Sequence, residues 1–203
     1  MTLTQSLDTG IRRAGATDRT AVAATVAAGF FDDPVTQWLL PDVEHRREVI
    51  LPMFEVYTDA YLPHGKTYLT ADGNGAAVWL PPGAQLLTDE QEQPFVDALA
   101  ALMGPRVGRL FQLEETFARH HPAEPLYYCN FLSTVPAFQG RGIGSALLQD
   151  MLQRADADEL PAYHEATSPR NRALYERHGY VNQGELVLPD GGPTLWRMWR
   201  DPR

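Results

Sequence analysis

Cysteine is almost missing from this chain: Cys129 is the only one among 203 residues. An intramolecular disulfide framework is therefore impossible, and the composition suits a reducing, cytoplasmic setting. Lysine is as scarce, with Lys66 alone. No apolar run approaches the length that spans a bilayer, so no membrane segment is expected. The start, MTLTQSLDTG, lacks a cationic stretch and an apolar core, so no secretory signal is legible there. Positive charge is also thin: 17 Lys and Arg stand against 26 Asp and Glu, for a net of −9. Nucleic-acid binding needs a basic stripe that displaces counterions, and the sequence offers none. The imbalance falls almost wholly in residues 1–100, with 6 basic and 14 acidic residues. That half either meets a neutral to cationic substrate or simply keeps the surface solvated.

What is present is an ordinary globular composition, 44% hydrophobic and 10% aromatic. It is enough to bury one core, and residues 1–203 read as a single domain without repeats or linkers. Residues 11–14 suggest a short strand. Val22, Val26 and Phe30 recur at helical spacing up to Asp33-Pro34, read as a stop. A second helix is expected over 43–62, with Ile50, Leu51, Phe54, Tyr57 and Tyr61 inward and a kink at Pro52. A hairpin turns at 72–75, and two helices break at Gly104-Pro105. The run 126–135 is a central strand, 142–155 a helix, 161–167 a strand and 171–178 a short helix. A last hairpin turns at 190–192. The pattern describes an α/β fold on one mixed, mostly antiparallel sheet.

The most informative stretch runs from Thr134 to Ser145. A strand ends at Pro136, a glycine-rich loop follows (Gln139-Gly140-Arg141-Gly142-Ile143-Gly144-Ser145), and an amphipathic helix begins at once. Glycines let the backbone turn tightly and approach a ligand, and the unpaired amides of a first helical turn attract anions. Arg141 would add charge at the mouth. The dinucleotide fingerprint fails because Ser145 replaces its third glycine, and the triphosphate loop fails because no lysine follows.

Gln139-Gly140-Arg141-Gly142-Ile143-Gly144 resembles the Q/R-x-x-G-x-G/A signature of the GCN5-related N-acetyltransferases (GNAT). Asn171 to Tyr180 resembles that family's N-x-x-x-Y-E-x-x-G-F/Y segment. Ala28–Pro34, Glu124-Pro125, Glu165–Asn171 and Leu188–Pro193 look most like puromycin N-acetyltransferase-like members. The resemblance implies a GNAT fold, with a sheet splayed between its fourth and fifth strands and helices on both faces. It implies acetyl-CoA as co-substrate and direct attack by the primary amine of a small molecule in a ternary complex, with self-resistance or detoxification of an antibiotic as one role. A peptide or protein amine, or a non-catalytic acyl-CoA sensor, are the competing readings. It also allows a homodimer.

The resemblance distributes roles as follows. Amides of Gly140, Arg141, Gly142, Ile143, Gly144 and Ser145 hold the pyrophosphate, beside Gln139. The pantetheine arm lies along Leu132, Ser133 and Thr134, whose fixed N–H near Thr134 would steady the carbonyl oxygen by about 3 kcal/mol. Glu165 is the candidate base for an amine that is protonated at neutral pH, unless it pairs with an arginine such as Arg170. His164 would face the other way and serve structure. Tyr175 is the candidate acid for the leaving thiolate, unless its hydroxyl is tied off in the core. Asn171 either caps its helix or touches the CoA arm. Asp32, Asp33, Trp38, Tyr57, Trp79, Tyr128 and Asn130 are candidates for an acceptor pocket, with core packing the alternative for the aromatics. His120 and His121 lack partners at metal-ligand spacing, and no metal is expected.

Overall fold

A computed structural model describes residues 10–203; the expectation that no secretory signal is present rests on residues 1–10, of which 1–9 lie outside the described part. Among the described residues seven strands form one sheet in the order β1-β2-β3-β4-β5-β7-β6. They are β1 (Arg12–Arg13), β2 (Thr67–Leu69), β3 (Gly75–Leu80), β4 (Tyr127–Thr134), β5 (Ala162–Ala166), β6 (Val181–Val187) and β7 (Thr194–Arg200). All neighbours pair antiparallel except β4 and β5.

Alternation along the strands divides the core in two. Leu69, Ala76 and Val78 face a cluster built with helices α1 (Arg19–Phe30), α2 (Pro34–Leu39), α3 (Val43–Tyr61), α4 (Asp89–Met103) and α5 (Val107–His120). Tyr68, Ala77, Trp79, Tyr127 and Cys129 face the other way, onto α6 (Ile143–Ala157) and α7 (Pro169–Arg177). Among the described residues no helix is long and apolar enough to cross a membrane.

Most expected elements are present, with three local differences. Asp33-Pro34 ends nothing permanently: the Asp33 carboxylate accepts from Val35 N at 2.9 Å, and Pro34 fits the first position of a new helix, α2. α3 is continuous across Pro52, and Leu51 lies on its exposed side while Ile50 and Phe54 are buried. α7 starts two residues before the expected position, because Ser168 caps it by accepting from Asn171 N and Pro169 fills its first position.

β4 carries the feature that shapes the site. Trp79 pairs with Cys129 but Val78 pairs with Phe131, so Asn130 is an extra residue, a β-bulge. Tyr127 and Cys129 point to the α6 side before it. After it, Phe131 points to the α1–α3 side, ringed by Phe30, Phe54, Tyr57 and Tyr61 at centroid distances of 5.2–6.0 Å. The bulged strand also parts from β5, which it meets only at Tyr127↔Ala162 and Tyr128↔Tyr163. Beyond that point the sheet is open, as the splayed reading expected.

Candidate active site

The opening between β4 and β5 continues on one side into a cleft of about 360 Å³. On the other it meets a smaller chamber of about 80 Å³. Asp33, Leu132, Asn171 and Tyr175 border both.

The cleft presents main-chain groups. Val135 N donates to Asn74 O at 3.0 Å, which fixes the hydrogen-bonding parity of the β3–β4 ladder. By that parity residues 131 and 133 turn their amides and carbonyls to β3, while Leu132 and Thr134 turn theirs to the opening. Ser133, expected alongside them, is thereby engaged with β3, and its hydroxyl donates to Thr25 O on α1 at 2.8 Å. Thr134 O accepts from the Gln139 amide at 3.3 Å, and the Gln139 carbonyl oxygen accepts from Arg170 at 3.1 Å.

At the end of this rail, Gly142 caps α6 with φ +89° and no side chain. Ala146 N makes the first intrahelical bond, to Gly142 O, so the amides of Gly142, Ile143, Gly144 and Ser145 have no helical acceptor. Gly140, with φ +77°, precedes them. Four aligned donors, the helix dipole and two left-handed glycines make an anion cradle that fits a diphosphate. Arg141 stands apart from it: its guanidinium lies over the Phe138 ring at 5.0 Å and donates to Ala137 O, while Arg170 and Arg177 line the cleft.

The chamber is apolar on most sides, with Phe30, Val35, Met53, Phe54 and Phe117 among its walls. Its polar end is Glu165, only 4% exposed. The Tyr128 hydroxyl donates to Glu165 Oε2 at 2.7 Å, while Oε1 makes no hydrogen bond among the described residues. Burial pushes this carboxyl up to about 7, against the smaller opposing effect of its hydrogen bonds. Arg170 is committed to Gln139, so the expected competing ion pair does not form.

His164 alternates with Glu165 along β5, is buried, and yet also borders the chamber where β4 and β5 part. Its Nδ1 donates to Cys129 O at 2.6 Å, and its ring lies 4.3 Å from that of Tyr175. Burial holds this imidazole down to about 4, hence neutral. Tyr175 is buried, its ring packed between His164 and Tyr180, and burial raises its hydroxyl well above the ordinary value. It keeps its proton throughout the neutral range. Asn171 donates from Nδ2 to Thr167 Oγ1 at 3.2 Å and faces both spaces; capping belongs to Ser168 instead.

The expected acceptor residues divide. Tyr57, Tyr128, Asn130 and Asp33 line the chamber. Asn130 donates to the Tyr61 hydroxyl, and Asp33 accepts from Thr167 while burial raises its carboxyl. Asp32 is exposed and lies outside it. Trp79 is wholly buried on the α6 side, turned away by strand alternation. Trp38 packs in the α1–α5 core with Arg109 over its ring at 5.3 Å. Sequence reading missed Tyr61 as Asn130's partner, Tyr163 beside Tyr128, and His121, whose ring packs edge-on to Tyr128 at 4.8 Å. Apolar spacing marked Tyr61 only as core. His120 and His121 take part in no metal-binding group among the described residues. Cys129 is buried and its thiol pushed well up, unsuited to nucleophilic work.

Comparison with known proteins agrees with this geometry. Residues 106–182 match the family described as an acetyltransferase (GNAT) domain. An uncharacterized N-acetyltransferase of Schizosaccharomyces pombe is 22% identical over 196 residues, covering 87% of this chain and 76% of its own. A solved structure described as histone acetyltransferase HPA2 and related acetyltransferase, from Corynebacterium glutamicum, is 26% identical with a TM-score of 0.73, covering 95% of this chain and 96% of its own. The Drosophila melanogaster polyamine N-acetyltransferase, which forms N-acetylagmatine, shares the fold at 16% identity and a TM-score of 0.61, over 94% of this chain and 98% of its own.

The fold is the GNAT fold, and these matches support a GNAT N-acetyltransferase domain. They support an acyltransferase enzyme.

Proposed function

We propose that this enzyme transfers an acetyl group from acetyl-CoA to the primary amine of a small molecule, by direct attack while both substrates are bound. Proteins of this fold generally use acetyl-CoA, which supplies the acyl group as an activated thioester. The observation that carries the amine reading is Glu165: a buried carboxyl at the end of an apolar chamber, one oxygen without a hydrogen bond among the described residues, poised near neutrality.

The chain's own groups divide the work. Amides of Gly142 to Ser145 hold the diphosphate, and Leu132 and Thr134 offer strand-like donors and acceptors to the pantetheine arm. One of those N–H groups stabilises charge on the carbonyl oxygen. Glu165 takes the proton from the acceptor's ammonium, directly or through water. Tyr128 fixes its orientation by donating to Oε2. Tyr175, neutral and held by His164 and Tyr180, gives its proton to the departing sulfur.

A chamber this small, walled by Phe30, Phe54, Tyr57 and Phe117, favours a compact, largely apolar amine over a peptide, which needs an open groove. An amine-bearing antibiotic with such a reacting end is one acceptor of this class, and its detoxification one role. The test is acetyl-CoA turnover against a panel of small amines and peptides. Turnover of compact amines that Glu165→Gln abolishes is expected; CoA binding without turnover of any amine would replace this reading by that of a sensor.

A further inference from the structure

A second pocket, of about 360 Å³, lies at the β1–β2 edge of the sheet, beneath the C-terminal half of α6. Strand register explains its lining. Arg13 stands directly opposite Tyr68 in the antiparallel β1–β2 pair, so the two side chains share a face. Lys66 is two residues before Tyr68 on backbone still paired to β3 through the Trp79 N to Lys66 O bond, so it joins them. From above, α6 contributes Arg154, its guanidinium 5.4 Å from the Tyr68 ring centre, and Asp150 one turn earlier. Lys66 Nζ lies 5.3 Å from the Tyr127 ring centre.

Three cations from three elements thus converge on one cavity of a chain whose net charge is −9. Among the described residues the only carboxylate in the lining, Asp150, is spent on Arg154 at a loose 3.4 Å. Arg13 and Lys66 form no ion pair among the described residues, whereas neighbouring Arg12 is paired with Asp18 on the opposite side of β1. Aromatic faces beneath Arg154 and Lys66 hold both charges in position without neutralising them. One carboxylate beside three cations excludes a metal ion as the ligand. Two guanidinium forks, an ammonium and the Tyr68 hydroxyl instead match a compact dianion with several acceptor oxygens.

We propose that Arg13, Lys66, Tyr68 and Arg154 form a binding site for a phosphate-type dianion, separate from the diphosphate cradle at the other end of α6. The ligand is a free phosphate ion or the phosphate group of a small ester.

The test is titration of the full-length protein with inorganic phosphate and, separately, glycerol 3-phosphate at low salt. Saturating CoA is present to occupy the α6 N-terminus, and binding is followed by calorimetry and amide chemical shifts. Saturable binding is expected, with shifts at Arg13, Lys66, Tyr68 and Arg154. It should weaken about tenfold or more in Lys66→Gln/Arg154→Gln, and in the exposed Arg13→Gln as an independent check, with CoA affinity unchanged. Equal affinity for both probes identifies the free ion; preference for the ester identifies a phosphorylated metabolite. No saturation at millimolar concentrations, or wild-type binding by both variants, would overturn the proposal.

Discussion

Glu165 and Arg197 stand directly opposite one another in the β5–β7 ladder, yet they form no ion pair. The guanidinium turns away and donates to Gln183 O at 2.8 Å, while Oε1 of the carboxyl makes no hydrogen bond among the described residues. A paired carboxylate would be acidic and inert at neutral pH. Left unpaired in a buried setting, this one is pushed up to about 7, where a base is most effective.

The first prediction concerns pH. Proton abstraction requires the ionised carboxylate, so kcat/KM should rise through an apparent pKa near 7 and flatten above it. Glu165→Gln should lower kcat/KM by about 10²–10⁴-fold and remove that limb. Tyr128, Tyr163 and Glu114 are the other groups acting on this carboxyl, and Glu114 pushes it in the same direction as burial. A variant that keeps the limb would show that another group abstracts the proton.

The same residue predicts a stability change of unusual sign. The folded-state pKa is raised, so the native protein binds more protons than the unfolded chain between about 4.5 and 7. Stability from this group therefore falls as pH rises through that window, and charge burial is a cost above it. Glu165→Gln should stabilise the protein at pH 8 by up to ~3 kcal/mol, and much less at pH 4. Urea denaturation at the two pH values measures the difference.

Tyr175→Phe removes a hydroxyl that nothing in the chamber replaces. The proposed acid role predicts a fall in kcat of about 10²-fold with CoA affinity retained. Because the ring remains between His164 and Tyr180, the melting temperature should change little. Unaltered turnover would leave Tyr175 a packing residue.

Gly29 lies where α1 crosses β4, and a Cβ there would fall 2.1 Å from Ser133 Oγ and 3.1 Å from Thr134 O. Gly29→Ala should separate helix and strand, costing about 1–3 kcal/mol. It should also raise the KM for acetyl-CoA, since Leu132 and Thr134 shift with the strand. Denaturant titration and steady-state kinetics test the two effects together.

Gly142→Ala tests the cradle alone. A side chain at φ +89° costs roughly 1–2 kcal/mol, and space there is open, so the penalty is conformational. CoA affinity should fall about tenfold while turnover at saturation is preserved.

Much of this arrangement was legible in the sequence. The glycine loop, the strand before it and the amphipathic helix after it announced the cradle, because a positive φ favours glycine and a helix start leaves its first amides unpaired. Glu165 was legible as the polar residue of a buried strand. Trp38 and Trp79 were not: an aromatic residue on a strand or helix reads alike whether it faces a cavity or a core. Nor was α2, since Asp-Pro ends one helix and begins another with the same residues. The loss of Ser133 from the rail followed from hydrogen-bond parity, which depends on a bulge that leaves no compositional trace.

That extra residue has an evolutionary corollary. Under the proposed function the side chains of Leu132 and Thr134 are less constrained than that of Ser133, whose hydroxyl is held by Thr25 O, because what those two offer a cosubstrate is peptide. The number of residues is not free: removing one at Asn130 would rotate every later peptide by half a turn and present the opening with the groups now bound to β3. Lineages descended from this gene should thus accept substitutions at Leu132 and Thr134 far more readily than any insertion or deletion in β4.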